Sequence, residues 1–383
     1  MASAVQSIDD RRLLVELQSL GVRVEDDGSP HLTGRRGGAG PSDAGFIWVR
    51  GFPLTVPMHA PYASRSPYTL RIADGSAHLY HGGESVAPVL IPPRPHIYDM
   101  QTADGVPYWK IALLHLDSIA STVVQKCIYW GTHEQCGFCG IELTRGEQTV
   151  PVKTPEQLAE VCTAARDLDG AIDVTLTTGS INRRDRGALY ISRCAAAIKE
   201  ACGLPVQVQF EPPDDPAVLD SVRAAGVDAV GIHIETFDPE VLQRIAPGKA
   251  ECGVEGYFRI WERAVSVFGR GRVTTYVILG MGERPGLIEE GCRRAIAMGV
   301  YPFVVPLRPV IGSLMEAATP PAPDYVASVY RSVSAMLDEA GLSHDDAVAG
   351  CARCQACSGL SAWERVFRRE ELRGRADHGA AAG

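Results

Sequence analysis

In the central part of the chain, short apolar runs alternate with longer segments in which apolar residues recur every three or four positions. The runs are rich in Val, Ile and Thr and have the length of strands, whereas the longer segments have the period of amphipathic helices. Strands are predicted at residues 121–124, 172–177, 205–210, 229–234, 273–279 and 302–306. Helices are predicted between and after them, at residues 155–168, 187–201, 216–225, 255–268, 286–298 and 324–340.

Six strand–helix units in series predict an α/β fold with a parallel sheet and helices outside it. Right-handed crossovers curl such a sheet toward a barrel, so we expect a partial (β/α)6 barrel of the TIM type over residues 111–341. Chemistry in βα barrels lies at the carboxyl ends of the strands. The residues directly after each predicted strand are therefore the first candidates for a functional site.

The segments on either side of the predicted barrel have a different pattern. Residues 1–110 predict a small α+β cap, with a helix at 9–20, a glycine-rich loop at 34–40, strands at 46–49, 68–72 and 77–80, and a hairpin turn at Asp74-Gly75. Residues 342–383 predict a C-terminal extension, with three cysteines, a charged helical stretch at 363–372 and a disordered tail at 374–383. We therefore expect domain boundaries near residues 110 and 341.

Composition narrows the classes of function. The chain has 383 residues, too few for three ordinary domains, and its hydrophobic content of 45% supports a large core. Lys and Arg number 37 against 46 for Asp and Glu, a net charge of −9 without a basic block, which argues against nucleic acid as a partner. The first residues do not form a signal peptide, and no apolar run approaches the ~18 residues of a membrane span. Eleven cysteines then indicate the reducing cytoplasm, and metal ligation rather than disulfides.

Three closely spaced cysteines follow the first predicted barrel strand, at Cys127, Cys136 and Cys139. Three thiolates on one loop suit an iron–sulfur cluster that leaves one iron without a protein ligand. A structural zinc site usually has four protein ligands, and His133 is the sole nearby candidate for the fourth. An iron that is open to a further ligand is useful for chemistry, so the loop predicts a reactive cluster.

Four stretches at predicted strand ends carry a family resemblance. They are Cys136-Gly-Phe138-Cys139 after the first strand, Thr177-Thr178-Gly179-Ser180 after the second, Gly231-Ile-His233-Ile-Glu235 after the fourth and Ile278-Leu-Gly280-Met-Gly282-Glu283 after the fifth. In this order, on six βα units, they resemble the radical SAM (S-adenosylmethionine) superfamily over about residues 115–320. One departure is the spacing of eight residues between Cys127 and Cys136, which is longer than in the usual motif.

The resemblance implies how the first two stretches bind cofactors. Cys127, Cys136 and Cys139 would hold three irons of a [4Fe–4S] cluster, and the fourth iron would bind SAM. The stretch after the second strand resembles the one that meets the methionine amino group of SAM. Its residues are Thr178, Gly179 and Ser180, and the alternative is a plain strand-to-loop turn.

The other two stretches resemble nucleoside-binding segments. His233 and Glu235 resemble a polar pair that holds the SAM ribose in the biotin and lipoyl synthase branch. The alternatives are a core histidine and a helix-capping glutamate. Gly280 and Gly282 resemble the adenine-binding stretch, because two glycines let the backbone approach a flat ring. Phe138 would pack near the adenine or make a simple core contact.

The resemblance implies an enzyme that reductively cleaves SAM and abstracts hydrogen from a small-molecule substrate, with an electron donor such as flavodoxin or ferredoxin. Phrases at residues 107–112, 211–215, 247–250, 301–306 and 350–358 further resemble a radical SAM subgroup encoded beside nitrilases in bacterial gene clusters linked to cyanide assimilation. They imply a place in nitrile- or cyanide-related nitrogen metabolism. The alternatives are a non-catalytic iron–sulfur electron-transfer or partner protein, and a zinc-binding regulatory module, which the lack of a basic patch disfavours.

Polar residues on the third and sixth strands are candidates for a substrate pocket. Gln207, Gln209 and Glu211 alternate and so share one face of the third strand. If these three side chains face the inside of a barrel, they need hydrogen bonds to a ligand or to one another. The alternative is that they face the helical layer or solvent. Arg308, after the sixth strand, suits either a substrate carboxylate or a structural ion pair.

The C-terminal extension carries Cys351, Cys354 and Cys357 at a spacing typical of ferredoxins. They predict a second iron–sulfur cluster, with zinc or unliganded thiols as alternatives. Because they follow the helix after the sixth strand, we expect them at the open end of the barrel. The five other cysteines are expected to be buried apolar residues: Cys162, Cys194, Cys202, Cys252 and Cys292.

Overall fold

The computed structural model describes residues 9–26, 42–73, 75–143 and 148–364. Several predicted features lie outside these residues. They are the glycine-rich loop at 34–40, Asp74 of the hairpin turn, the charged stretch beyond residue 364 and the tail at 374–383.

A six-stranded sheet with one helix packed on it forms the N-terminal part. Helix α1 (Asp10–Leu20) precedes strands β1 (Arg23–Asp26), β2 (Ala44–Val49), β3 (Phe52–Pro57), β4 (Tyr68–Ala73), β5 (Ser76–His81) and β6 (Glu84–Leu90). The strands lie in the order β1-β4-β5-β6-β2-β3. The β1–β4 pair is parallel and the other neighbours are antiparallel. Leu13, Leu14 and Leu17 of α1 are buried against the sheet, as their helical spacing predicts.

Strands β1, β3 and β6 were not among the predicted elements. Strand β3 contains Pro53 and Pro57, which weaken a strand pattern because proline lacks the N–H of the ladder. Proline is tolerated here because β3 lies at an edge of the sheet.

A seven-stranded sheet forms the second part and confirms the predicted partial barrel. Its strands are β7 (Leu113–His115), β8 (Ser118–Thr122), β9 (Asp173–Thr177), β10 (Val206–Gln209), β11 (Ala229–Gly231), β12 (Val273–Leu279) and β13 (Val300–Pro306). They lie side by side in chain order, and β8 to β13 are parallel. The short strand β7 pairs antiparallel with β8 and forms one edge of the sheet.

Helices follow the parallel strands, and the long ones cover the outside of the sheet. They are α2 (Pro155–Asp169), α3 (Ala188–Cys202), α4 (Val218–Ala224), α5 (Pro239–Ile245), α6 (Pro247–Ala250), α7 (Gly253–Phe268), α8 (Pro285–Met298), α9 (Pro323–Glu339) and α10 (Cys351–Cys354). Short 3-10 turns occur at Pro61–Arg65, His96–Asp99, Tyr108–Lys110 and His344–Asp346. Within the described residues no helix has the length and apolarity needed to cross a membrane.

The N-terminal sheet and the C-terminal segment meet across the open side of the barrel. Both the N–H and the hydroxyl of Thr55, on β3, donate to the carbonyl of Ala356 at 2.7 Å. The carbonyl of Thr55 in turn accepts from Nη2 of Arg308 at 2.8 Å. On the other side of the same segment, the N–H of Gly359 donates to Gln18 of α1 at 2.9 Å. The open edge of the sheet is therefore covered by two segments that are far apart in the chain.

Candidate functional site

The three cysteines after β8 lie near one another at the carboxyl ends of the barrel strands. The charge of Cys127 acts on Cys139, and the charge of Cys139 acts on Cys136. Burial raises the pKa of all three thiols, that of Cys139 to about 12. Thiols in such a setting become thiolates when a metal ion supplies the missing positive charge. The three residues thus fit the cluster that the sequence predicts.

A single metal ion fits this loop less well. In the part of the chain that the structure describes, no three His, Cys, Asp or Glu side chains converge on one ion position. In an iron–sulfur cubane each cysteine binds its own iron, so the sulfurs need not converge. His133, the candidate fourth zinc ligand, is exposed to solvent. A cluster held by three cysteines therefore stays the prediction for this loop.

The long spacing between Cys127 and Cys136 is accommodated by contacts with α5 and α6. A Cβ on Gly248 would lie 2.9 Å from the ring of Tyr129, so α6 packs directly on the loop. Glu134 forms an ion pair with Arg183 at 2.8 Å. The N–H of Gly137 donates to the last carbonyl of α5, at Ile245, over 2.7 Å. These contacts fix the path of the longer loop.

The loop after β9 also packs against the cysteine loop through backbone. The N–H of Gly179 donates to the carbonyl of Val124 at 2.9 Å, and the carbonyl of Ser180 accepts from Ile128 at 2.8 Å. A Cβ on Gly179 would come under 3.0 Å from the carbonyl oxygen of Lys126, closer than real Cβ atoms come. Glycine is therefore needed here for the approach of two backbone segments. Residues 178–180 lie beside Cys127 as a result.

Glu235 forms a buried ion pair that the sequence did not indicate. Its Oε1 lies 2.9 Å from Nζ of Lys249, which also donates to the carbonyl of His233 at 2.7 Å. Burial has the largest effect on the pKa of Lys249 and lowers it, but the charge of Glu235 and those of other nearby groups together raise this pKa well above its usual value. Glu235 is not a helix cap, since the side chain that caps α5 is that of Asp238. Lys249 lies in the four-residue helix α6, which is too short to be recognised from its pattern.

His233 is a buried neutral imidazole with one free donor. Its Nδ1 accepts the N–H of Tyr276 at 3.1 Å, so Nε2 carries the proton. Nε2 is buried and has no hydrogen-bond partner among the described residues. Burial, followed by the charge of Lys249, lowers its pKa to about 3. The histidine can therefore donate one hydrogen bond to a bound molecule at neutral pH.

The loop after β12 folds around the side-chain carboxylate of Glu283, which belongs to the same loop. Glu283 accepts from the N–H groups of Gly280 and Met281, both at 2.8 Å. Gly280 and Gly282 have φ of 100° and 92°, a region that favours glycine. Phe138 packs with Met281 in a small apolar cluster at this end of the barrel. A flat ring bound here would therefore meet apolar side chains rather than these two amides.

A cavity of about 310 Å³ lies inside the barrel. Alternate residues of the strands line it, among them Thr175 and Thr177 of β9. It is also lined by Phe138 and Arg308, and by all three C-terminal cysteines. The cavity thus connects the cysteine loop after β8 with the C-terminal segment.

The C-terminal segment is held at the amino ends of β8 and β9, while the Cys351 thiol reaches Gln209, the last residue of β10, inside the barrel. That the three cysteines lie at the open end of the barrel stays a prediction. Arg353 forms ion pairs at 2.7 Å with Asp117, just before β8, and with Asp173, the first residue of β9. The N–H of Gly350 also donates to Asp173, at 2.6 Å. The sequence specified that the segment follows α9 but not to which end of the barrel it returns. Burial raises the pKa of Cys351 to about 11.

The two glutamines of β10 face the interior, which settles the alternatives left by the sequence. Nε2 of Gln209 donates to Oε1 of Gln207 at 2.9 Å and to Sγ of Cys351 at 3.3 Å. Glu211 lies beyond the end of β10 and is half-buried. Sequence reasoning missed Tyr276, whose hydroxyl also bonds to Cys351. Its place in β12, on the same face of the strand as Ile278, was the available indication.

The remaining cysteines form no disulfide, and every cysteine of the chain is free. Three of them are buried as expected, namely Cys162, Cys194 and Cys292. Cys202 and Cys252 are half-buried.

Part of the chain is similar to known proteins. Residues 131–290 match the model of the radical SAM superfamily, a range that includes Cys136 and Cys139 but begins after Cys127. The bacteriochlorophyllide c C-7(1)-hydroxylase of Chlorobaculum limnaeum is 26% identical over 229 residues, which cover 55% of this chain. The matched part spans 57% of the length of that curated relative.

Two solved structures are similar at low sequence identity. Methylornithine synthase is 16% identical with a TM-score of 0.47, over 63% of this chain and 68% of that chain. A radical SAM methyltransferase from Sphaerobacter thermophilus is 14% identical with a TM-score of 0.46, over 70% of this chain and 75% of that chain.

Proposed function

We propose that this chain is a radical SAM enzyme that uses a [4Fe–4S] cluster to cleave SAM reductively and then abstracts hydrogen from a small-molecule substrate, because residues 131–290 match the model of that superfamily. The observation that carries the proposal is the proximity of Cys127, Cys136 and Cys139 to one another and to Phe138, which lines a cavity inside the barrel. Such a cluster, when bound and reduced, would supply one electron for the cleavage of a carbon–sulfur bond of SAM. A non-catalytic electron carrier would have no use for the cavity.

The residues of the chain bind, orient and enclose the cofactor in this proposal. The three cysteines hold the cluster, and residues 178–180 bind the amino group of SAM from the loop that packs on Cys127. Glu235 binds the ribose with the carboxylate oxygen that Lys249 does not engage, and His233 donates from Nε2. Phe138, with Gly280 and Gly282, forms the adenine side. Burial of these groups excludes water from a reactive intermediate.

The test is an anaerobic assay of SAM cleavage. The parent protein, reconstituted with iron and sulfide and reduced with dithionite, should form 5′-deoxyadenosine. The triple variant Cys127→Ala, Cys136→Ala and Cys139→Ala should form none, because the cluster has lost its ligands. Cys202→Ala, on helix α3, is the matched control and should retain the activity. Equal product from the triple variant and the parent would disprove the role of this loop.

We also propose that Cys351, Cys354 and Cys357 hold a second iron–sulfur cluster at the other end of the cavity. The Cys351 thiol accepts hydrogen bonds from Gln209 and Tyr276, which suits a thiolate, and no site for a single ion is found among the described residues. Replacing the three cysteines by alanine should remove roughly four irons per chain. Loss of one zinc instead would indicate a structural site, and no loss of metal would remove these thiols from any mechanism.

The wider context rests on sequence resemblance. We propose that the enzyme works in the reducing cytoplasm, receives electrons from a donor such as flavodoxin or ferredoxin, and is related in its SAM pocket to the biotin and lipoyl synthase branch. We further propose a role in nitrile- or cyanide-related nitrogen metabolism. Stimulation of 5′-deoxyadenosine formation by nitriles, but not by unrelated compounds of the same size, is the result expected in a substrate screen.

A further inference from the structure

Arg308 presents an uncompensated positive charge to the cavity. It follows β13, and its Nη2 donates to the carbonyl of Thr55 at 2.8 Å. Its Nη1 is buried and has no hydrogen-bond partner among the described residues. None of the ion pairs in this part of the chain includes Arg308, so the structural ion pair that the sequence left open is absent from the described residues.

A guanidinium in this position needs an acceptor. Arginine stays protonated at any ordinary pH, and a buried donor without a partner loses its hydration without recovering it. The described residues that line the cavity include no other side chain with a fixed positive charge and no carboxylate. Most of the lining near Arg308 is apolar, for example Phe303 and Val305 of β13. The cavity therefore offers one cation to a ligand that is otherwise apolar.

The charge of Arg308 acts on residues outside the cysteine loop. The cation that acts on the cysteine loop is Lys249, whose charge lowers the pKa of Cys136 and Cys139 against the larger effect of burial. Arg308 acts instead on Tyr62 and Tyr330, whose pKa burial raises to about 12 in each case. Cys357 acts on Tyr330 as well. Arg308 thus lies on the side of the cavity that the C-terminal cysteines occupy.

We propose that the substrate is a small carboxylic acid whose carboxylate binds Nη1 of Arg308 while its apolar part fills the cavity. The inference rests on the proposed function, because it names the substrate class of that site. A carboxylate fits better than a phosphate, since a dianion usually takes more than one cation or several backbone donors. A volume of about 310 Å³ lies at the lower end of ligand sites, which span roughly 300–1,000 Å³, so the acid is small.

The test compares acids with their uncharged analogues on anaerobically reconstituted protein. Thermal stabilisation is measured with acetate, propionate, butyrate and benzoate, each against its own amide, without SAM. The parent should prefer acids to amides. Arg308→Gln should lose at least about tenfold in affinity for the acids and none for the amides, as expected for a charge-assisted hydrogen bond. Glutamine can still donate to Thr55, which guards against misfolding.

Two further variants make the result interpretable. Arg308→Lys keeps the charge but not the planar fork, so it should retain a weaker preference for acids. Arg263→Gln removes an exposed arginine from the outer helix α7, where it pairs with Asp220, and should bind acids as the parent does. Iron content and the dissociation constant for SAM are measured for each protein.

Three outcomes would overturn the proposal. They are a parent protein without preference for acids over amides, an Arg308→Gln variant that keeps the preference, and an Arg308→Gln variant whose main loss is SAM affinity or iron. The last outcome would make Arg308 a residue of the SAM site or of the second cluster. The preference for acids is measured without SAM, so its failure is distinguishable from failure of SAM cleavage.

Discussion

Lys249 and Glu235 place a buried ion pair close to thiols that themselves carry negative charge when they bind metal. Both side chains are almost fully buried, and their charged atoms are 2.9 Å apart. Burying two charges is expensive, and the pair is retained only if each charge is matched. The backbone of Glu235 has φ of 71°, which is strained for a residue with a Cβ. Glu235 thus combines backbone strain with a buried ion pair, and both cost stability. This combination is typical of residues that serve a functional site.

We expect Glu235→Gln to weaken SAM binding by ~1–3 kcal/mol, typical of a lost hydrogen bond to a buried partner. The protein should also lose stability, because the buried charge of Lys249 loses the opposite charge that balances it. Iron content should not change. Equilibrium dialysis with SAM and urea unfolding measure the two effects, and Glu262→Gln, an exposed glutamate on α7, is the control. Unchanged SAM affinity would leave Glu235 with a structural role.

We expect Gly179→Ala to destabilise the protein by ~1–3 kcal/mol, as overpacking in a tight site does, and to lower the iron content. The reason is the carbonyl of Lys126, which the new Cβ would displace together with the loop that carries Cys127. Gly286→Ala is the matched control, because nothing lies within 4 Å of a Cβ at that helical position. It should be neutral or stabilise the protein by up to ~1 kcal/mol. Equal unfolding midpoints for the two variants would contradict the close backbone approach.

At the scale of elements, the short helices α5 and α6 support the cysteine loop. They have seven and four residues, too few to be stable alone or to show a helical period in the sequence. Helix α5 is held by its cap, Asp238, which accepts from Glu240 and pairs with Arg284 at 2.8 Å. The longer helices and the barrel strands were predictable because each spans enough residues for its period to appear. These two helices were not, because their stability comes from tertiary contacts.

The charge of Asp238 should stabilise the protein at neutral pH but not in acid. Hydrogen bonds from Arg284 hold the pKa of Asp238 below its usual value. A carboxylate with a lowered pKa in the folded state contributes stability above its unfolded pKa of about 3.9, and this is lost as the pH falls through the folded value. Asp238→Asn keeps a good helix cap but removes the charge. It should cost ~1 kcal/mol at pH 7, discounted for the exposed Arg284.

Urea unfolding of Asp238→Asn and parent between pH 7 and pH 2 measures this effect. The difference between their free energies of unfolding should shrink below about pH 4, because Asp238 of the parent then takes up a proton when the chain unfolds. Asp338→Asn, at an exposed position of α9, should show no such trend. A difference that stays constant down to the lowest pH would mean that the loss comes from packing rather than charge.

At the scale of the whole molecule, the fold class was predictable and the closure of the barrel was not. Six βα units in series specify a curled parallel sheet, because the strand and helix of each unit show their periods in the sequence and the crossover between strands is right-handed. The contact of Thr55 with Ala356 joins residues that are distant in the chain, and no local pattern encodes it. The same holds for Arg353 and Asp173, which fix the C-terminal segment to the amino end of β9. The residues of the cysteine loop could be predicted from the sequence. The ion pair of Lys249 and the set of residues that line the cavity could not, because they depend on such long-range contacts.

These long-range contacts lead us to expect that the N-terminal sheet and the barrel unfold in one cooperative transition. Hydrogen exchange should give β3 and β12 the same free energy of opening, since opening the sheet breaks the bonds of Thr55 to Ala356. Thr55→Val removes the hydroxyl bond but keeps the shape, and should lower both values together by ~1 kcal/mol. Thr163→Val is the matched control, because that hydroxyl bonds within its own helix, to Ala159, and its loss should not couple the two sheets. If β3 opened at a much lower free energy than β12 in the parent, the sheet would be a separate unit that can leave the cavity open, and substrate could enter by its movement.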